Sequence, residues 1–196
     1  MKDLSMHILD ISRNSIEADA EELSISMTVS GDNILTIIFK DNGRGMSPEM
    51  VKNVTDPFVT TRTTRKVGLG LPFLKMNAEL TGGNLFIESE QKKGTTVTVN
   101  FNLQHIDCLP YGDLGSVFSQ ILGGNPDKKF LFTFATQKES FALNSTEIWE
   151  MMTESGLSQL KMMILIKDMI NENLEEIGMV DNFELCPELN LETNDK

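Results

Sequence analysis

Three features of this 196-residue chain predict an α+β fold, a two-layer sandwich of helices on a sheet. The stretch "ELSISMTVS" alternates strictly, with Leu23, Ile25, Met27 and Val29 pointing one way, and "GDN" turns it back into "ILTIIFK". A second pair, "NLFIESE" and "TTVTVNFNL", closes around "QKKG". Helical patterns lie between and around these hairpins rather than alternating with single strands, so antiparallel strands and helices form separate layers.

The elements follow in order. Residues 3–20 read as a helix, because Leu4, Ile8, Ile11, Ser15 and Ala18 recur at steps of three and four. The first hairpin comes next. "SPEM" starts a short helix with Ser47 as N-cap and Pro48 at the first helical position. Residues 55–68, "TDPFVTTRTTRKVG", have no period and read as a long loop. "LGLPFLKMNAEL" is a helix stopped by Gly82 and Gly83, and the second hairpin follows. Beyond the connector "LQHIDCLPYGDLG" an αββα-like extension is expected. It comprises a helix from Leu114 to Leu122, a hairpin in "KFLFTFATQKESFAL", and helices over about 146–154 and 157–177. The boundaries expected are 1–104 for the first domain and 105–196 for an acidic accessory domain.

Charge divides the same way. The net charge is −12; residues 1–104 carry 11 basic and 13 acidic side chains, residues 105–196 carry 6 and 16. That surface repels phosphate backbones and anionic lipids, which argues against nucleic acid and membrane as partners. No apolar run approaches the roughly 18 residues of a membrane span. Cys108 and Cys186 form no CxxC pair, which argues against structural zinc and suits a reducing cytosol, so a cytoplasmic protein is expected.

No GxxxxGK[ST], no GxGxxG opening a helix and no kinase HRD…DFG set occurs. Four other segments carry chemistry. In "LDISRNSIEADA", Asp10 and Asn14 share one helical face; Asn offers a neutral oxygen to Mg²⁺, and Asp can position or deprotonate an attacking group. In "DNGRGM", Asp41 at a strand end can accept from an exocyclic amine, and Gly43 and Gly45 let the backbone approach a flat base. In "PFVTTRTTRKVGLGLPFLK", Gly68 and Gly70 precede a helix N-terminus suited to phosphate, with Arg62, Arg65 and Lys66 adding charge. In "KKGTTVTVNF", Thr95 follows Gly94 where it can assist Asp41.

As a set, over about residues 1–104, these segments resemble the GHKL superfamily of gyrase-type topoisomerases, large heat-shock chaperones, histidine kinases and mismatch-repair ATPases. "LDISRNSIEADA" is similar to its N box, "DNGRGM" to G1 and "GLGL" to G2. The resemblance implies a Bergerat-type sandwich binding ATP and Mg²⁺, with Asn14 as the metal ligand, Asp41 as the adenine acceptor and Asp10 as the catalytic carboxylate. It implies that Gly43, Gly45, Met46, Thr61, Arg62, Lys66, Gly68, Leu69, Gly70, Leu71 and Thr95 line the nucleotide site. "DPFVTTR…VGLGLPFLK" looks most like the histidine-kinase catalytic domain. Glu17 stands where kinase members often carry a basic residue, and Asp10 stands where hydrolysing members use Glu. Few residues precede the N box, so no acceptor hairpin is expected, and neither His7 nor His105 fills that role. The implied function is an ATP-dependent kinase acting in trans on a partner protein. The alternative is an ATP-hydrolysing switch whose 55–68 lid controls partner binding. The acidic half is expected to dock that partner or to form a homodimer.

Overall fold

The computed structural model describes residues 1–56 and 69–180. Twelve elements occur among them: α1 (Leu4–Glu17), β1 (Glu22–Val29), β2 (Ile34–Asp41), α2 (Pro48–Asn53), α3 (Gly70–Leu80), β3 (Leu85–Glu90), β4 (Gly94–Asn102), α4 (Leu114–Gly123), β5 (Lys129–Ala135), β6 (Ser140–Asn144), α5 (Ser145–Ser155) and α6 (Gln159–Glu176).

The strands form one sheet in the order β3-β4-β2-β1-β5-β6. Both expected N-terminal hairpins are present, and β2 pairs antiparallel with β4 between them. The alternation decides which face is buried. Leu23, Ile25 and Met27 of β1 are buried, as are Leu35, Ile37 and Phe39 of β2, and Val97, Val99 and Phe101 of β4. Their neighbours along each strand are partly or fully exposed. α1 covers this face with Leu4, Ile8 and Ile11, and α3 with Leu74 and Ala78.

The second half continues the same sheet. β5 pairs in parallel with β1, Glu22 opposite Lys129 through Thr28 opposite Ala135. Phe130, Phe132 and Phe134 therefore join the buried face, where Phe118 of α4 packs with ring centroids 4.5 Å from Phe132 and 5.1 Å from Phe134. The boundary expected at 104/105 thus divides neither the sheet nor the core. A parallel pairing joins strands far apart in the chain, so no local hairpin signal announces it.

α6 packs on α4. Gly115 N donates to Asn171 Oδ1 (3.1 Å), and Ser119 Oγ donates to the Met163 carbonyl (2.7 Å). The five-residue apolar run of α6 is split by the helix: Met162 and Ile166 are buried, whereas Ile164 and Leu165 face outward. Between α5 and α6 the chain turns at Gly156, with φ +64. Trp149 of α5 is only partly buried.

Candidate functional site

The "DNGRGM" segment leaves β2 by a route that α1, β4 and the segment's own backbone hold in place. Asp41 Oδ2 accepts from Ser15 Oγ of α1 (2.8 Å), and Oδ1 accepts from Gly43 N (2.9 Å) and Thr95 N of β4 (3.2 Å). A carboxylate has about four acceptor positions, so three donors from α1, the loop and β4 orient Asp41 and leave about one for an incoming amine. Asn42 Oδ1 accepts from both Glu21 N and Glu22 N (2.9 Å each), which ties the loop to the start of β1.

The glycines meet the protein's own backbone. A Cβ on Gly43 would lie 2.7 Å from the Ala18 carbonyl oxygen, and one on Gly45 would strike the Glu90 carbonyl. Gly45 also has φ +61, where side chains are strained. The loop thus lies flat against the α1 end and the β3–β4 turn. Met46 N donates to Ser89 Oγ (2.8 Å), whose hydroxyl also reaches the Gly94 carbonyl and Thr95 Oγ1 (2.9 Å each).

The second part of the site is the seam between α1 and α3. Asp10 and Asn14 lie one turn apart on α1, both partly buried. The Asp10 carboxylate lies directly against Gly70, so closely that a Cβ there would overlap Oδ2. Gly70 opens α3, and its N-cap residue Leu69 contributes no side-chain cap. The Asp10 carboxylate therefore stands beside the positive end of a helix, the end that receives phosphate.

One turn before Asp10, the fully buried His7 stitches the same seam. Asn77 Nδ2 of α3 donates to His7 Nε2 (2.9 Å). An amide nitrogen only donates, so a neutral ring with its proton on Nδ1 fits this contact, and Nδ1 is buried with no hydrogen-bond partner among the described residues. Burial, helped by the positive N-terminus and opposed by Asp3, lowers its pKa to about 4.

The structure thus gathers Asp41, Gly43, Gly45, Met46 and Thr95 at one corner and Asp10, Leu69, Gly70 and the half-buried Leu71 at the α1–α3 seam, with Asn14 one turn after Asp10 on α1. Thr61, Arg62, Lys66 and Gly68 lie outside the described residues. Sequence reading passed over Ser15, Asn42 and Ser89. Ser15 sat among the core-facing positions of its helix, and a lone serine on β3 carries no signal by itself.

Among the described residues no group of three or more His, Cys, Asp or Glu could hold a metal ion. Mg²⁺ needs only one or two protein oxygens when phosphates supply others, and the Asn14 amide oxygen fits that donor set. No described helix is long and apolar enough to cross a membrane.

A family model described as histidine kinase-, DNA gyrase B- and HSP90-like ATPase matches residues 2–105. The chain belongs to this ATPase family. Sporulation kinase D of Bacillus subtilis (strain 168) is 36% identical over 93 residues, 47% of this chain and 18% of that protein. Histidine protein kinase DivJ of Caulobacter vibrioides is 32% identical over 101 residues, 49% of this chain and 17% of that protein. The chain therefore spans less than a fifth of either kinase. A solved structure, the N-terminal domain of a DNA repair protein, superimposes with a TM-score of 0.52 at 18% identity, over 74% of this chain and 53% of that one. That likeness is one of fold, and its coverage reaches beyond residues 2–105. The ATPase-family match makes residues 2–105 a histidine-kinase-like ATP-binding domain.

Proposed function

We propose that the chain binds ATP with Mg²⁺ and transfers the terminal phosphoryl group to a residue of a partner protein. The observation that carries the reading is Asp41, held by Ser15, Gly43 and Thr95 with an acceptor position left for the adenine amine. In it, Asn14 carries the metal, the start of α3 receives the phosphates and Asp10 orients the attacking group. Phosphoryl transfer asks mainly for positioning and charge neutralisation, which these groups supply. Similarity to two kinases favours transfer over hydrolysis.

The chain's own histidines are poor acceptors. His7 is buried between α1 and α3. His105 follows β4, whose site end is Thr95, and the seven residues from there to Asn102 already span roughly 24 Å. The second reading is an ATP-hydrolysing switch, and Asp10 against Gly70 favours it, since the same carboxylate can orient water.

The test supplies γ-labelled ATP and Mg²⁺ to the protein purified with its binding partners. Label on a partner supports transfer, and free phosphate alone supports the switch. Unchanged ATP affinity in Asp41→Asn would remove the nucleotide site from both readings.

A further inference from the structure

We propose that His7 and Asn77 act as a positioning pair: their hydrogen bond sets where the first turn of α3 stands relative to Asp10, and so governs the rate of phosphoryl chemistry more than the affinity for ATP. The inference rests on the function proposed above. His7 is as buried as Leu4 and Ile8 on the same helix, yet its Nδ1 has no hydrogen-bond partner among the described residues. A leucine in that volume would leave no polar atom to desolvate. What the imidazole supplies and leucine lacks is the 2.9 Å contact between Nε2 and Asn77 Nδ2. Burial keeps the ring neutral at neutral pH, so the bond is made there.

α3 is anchored at its far end. Thr81 is buried, and its Oγ1 accepts from Asn102 N of β4 (3.3 Å), while Asn100 N of β4 donates to the Asn84 carbonyl (2.9 Å). Leu74 and Ala78 press the helix onto the core, but apolar contact is non-directional. The His7–Asn77 bond adds a fixed distance between two particular atoms. At ~1.5 Å per residue, Gly70 lies about 16 Å from the Thr81 anchor and Asn77 about 6 Å from it. A pivot of roughly 1 Å at Asn77 therefore becomes more than about 2 Å at Gly70.

That end of α3 has the least tolerance. The Asp10 carboxylate already lies so close to Gly70 that a Cβ there would overlap it. A displacement of about 1 Å at a reacting centre can lower a rate about a hundredfold. The Asp41 corner is held separately, by Ser15, Gly43 and Thr95, none of them on α3. Adenine binding therefore depends little on where α3 stands. Loss of the pair should cost turnover well beyond affinity.

The test measures kcat and KM for γ-labelled ATP with Mg²⁺ on the full chain purified with its binding partners, counting label passed to a partner or to water, alongside urea midpoints. His7→Leu should lower kcat more than about tenfold, change KM less than about threefold, and leave the urea midpoint at neutral pH unchanged or higher. His7→Gln, whose amide oxygen accepts from Asn77 Nδ2, should recover most of that rate. Asn77→Leu, on the other helix, should lose kcat as His7→Leu does, and combining the two should cost no more than either alone. Turnover in His7→Leu within about twofold of the wild type overturns the proposal. So does a His7→Gln no faster than His7→Leu, or a double variant whose losses multiply. A wild type that turns over no ATP overturns it together with the proposed function, which tells the two failures apart.

Discussion

Residues 2–105 and residues 106–180 build the same sheet from different materials. In the first, the strand ends carry polar groups that hold one another: Ser15, Gly43 and Thr95 on Asp41, Asn42 on β1, and Ser89 on the β3–β4 turn. In the second, the residues that stand out are aromatic core positions, three of them paired across from Leu23, Ile25 and Met27 of β1. Phe118, Phe130, Phe132 and Phe134 are all buried, and Phe134 stacks on Phe141 at 5.9 Å. Polar networks position atoms but contribute modest net stability, about 1 kcal/mol per hydrogen bond. Buried aromatic rings contribute several times that. The family-matched half thus adds an oriented polar network at its strand ends to its core, and the other half adds aromatic packing.

The most severe way to break this contrast is Phe132→Ala, which leaves a cavity where β5, β1 and α4 meet. It should cost about 3–5 kcal/mol in urea unfolding. If the two halves share one core, the single transition moves as a whole, and a second transition appearing at unchanged urea would separate them. Next comes Asp41→Asn. An amide nitrogen turned towards the adenine amine opposes donor with donor, so nucleotide affinity should fall about a hundredfold, or about 2.7 kcal/mol, by calorimetric titration. The fold should survive, because the amide oxygen still accepts from Gly43 and Thr95.

His7 sharpens the comparison through pH. Its folded pKa of about 4 lies below the ordinary 6.5, so the unfolded chain binds the proton more readily between those values. The stability this neutral ring confers is complete above pH 6.5 and is lost as pH falls towards 4, on the order of 2–3 kcal/mol. Urea midpoints measured from pH 7 to pH 4.5 should fall accordingly, and His7→Gln should flatten that component. The smallest expected effect on stability is Gly70→Ala. Its new methyl meets the mobile end of Asp10 rather than backbone, so Asp10 turns aside and unfolding changes by less than about 1 kcal/mol. Turnover of ATP should nevertheless drop more than nucleotide affinity. Equal losses in both would show that Gly70 serves binding alone.

Most elements were legible in the sequence because their causes are local. Strict alternation marked β1 and β2, and Ser47-Pro48 marked α2, where Ser47 Oγ accepts from Met50 N. The segments holding Asp10, Asn14 and Asp41 stand out in the sequence for the same reason: their residue types are unusual together. Ser15 and Ser89 were not, because a serine gains a role only from what folding sets opposite it. Nor does the family match, which ends at residue 105, announce the β5–β6 continuation.

The sequence by itself determined where helices and strands begin, which face of each is apolar, and which acids and glycines stand at the strand ends, since these depend on periodicity and local backbone chemistry. Only the tertiary structure decided that β5 lies parallel beside β1, that three separate elements aim Asp41, and that half of the α6 apolar run faces outward. Each of these is a long-range pairing or a direction in space, and no window of neighbouring residues contains it.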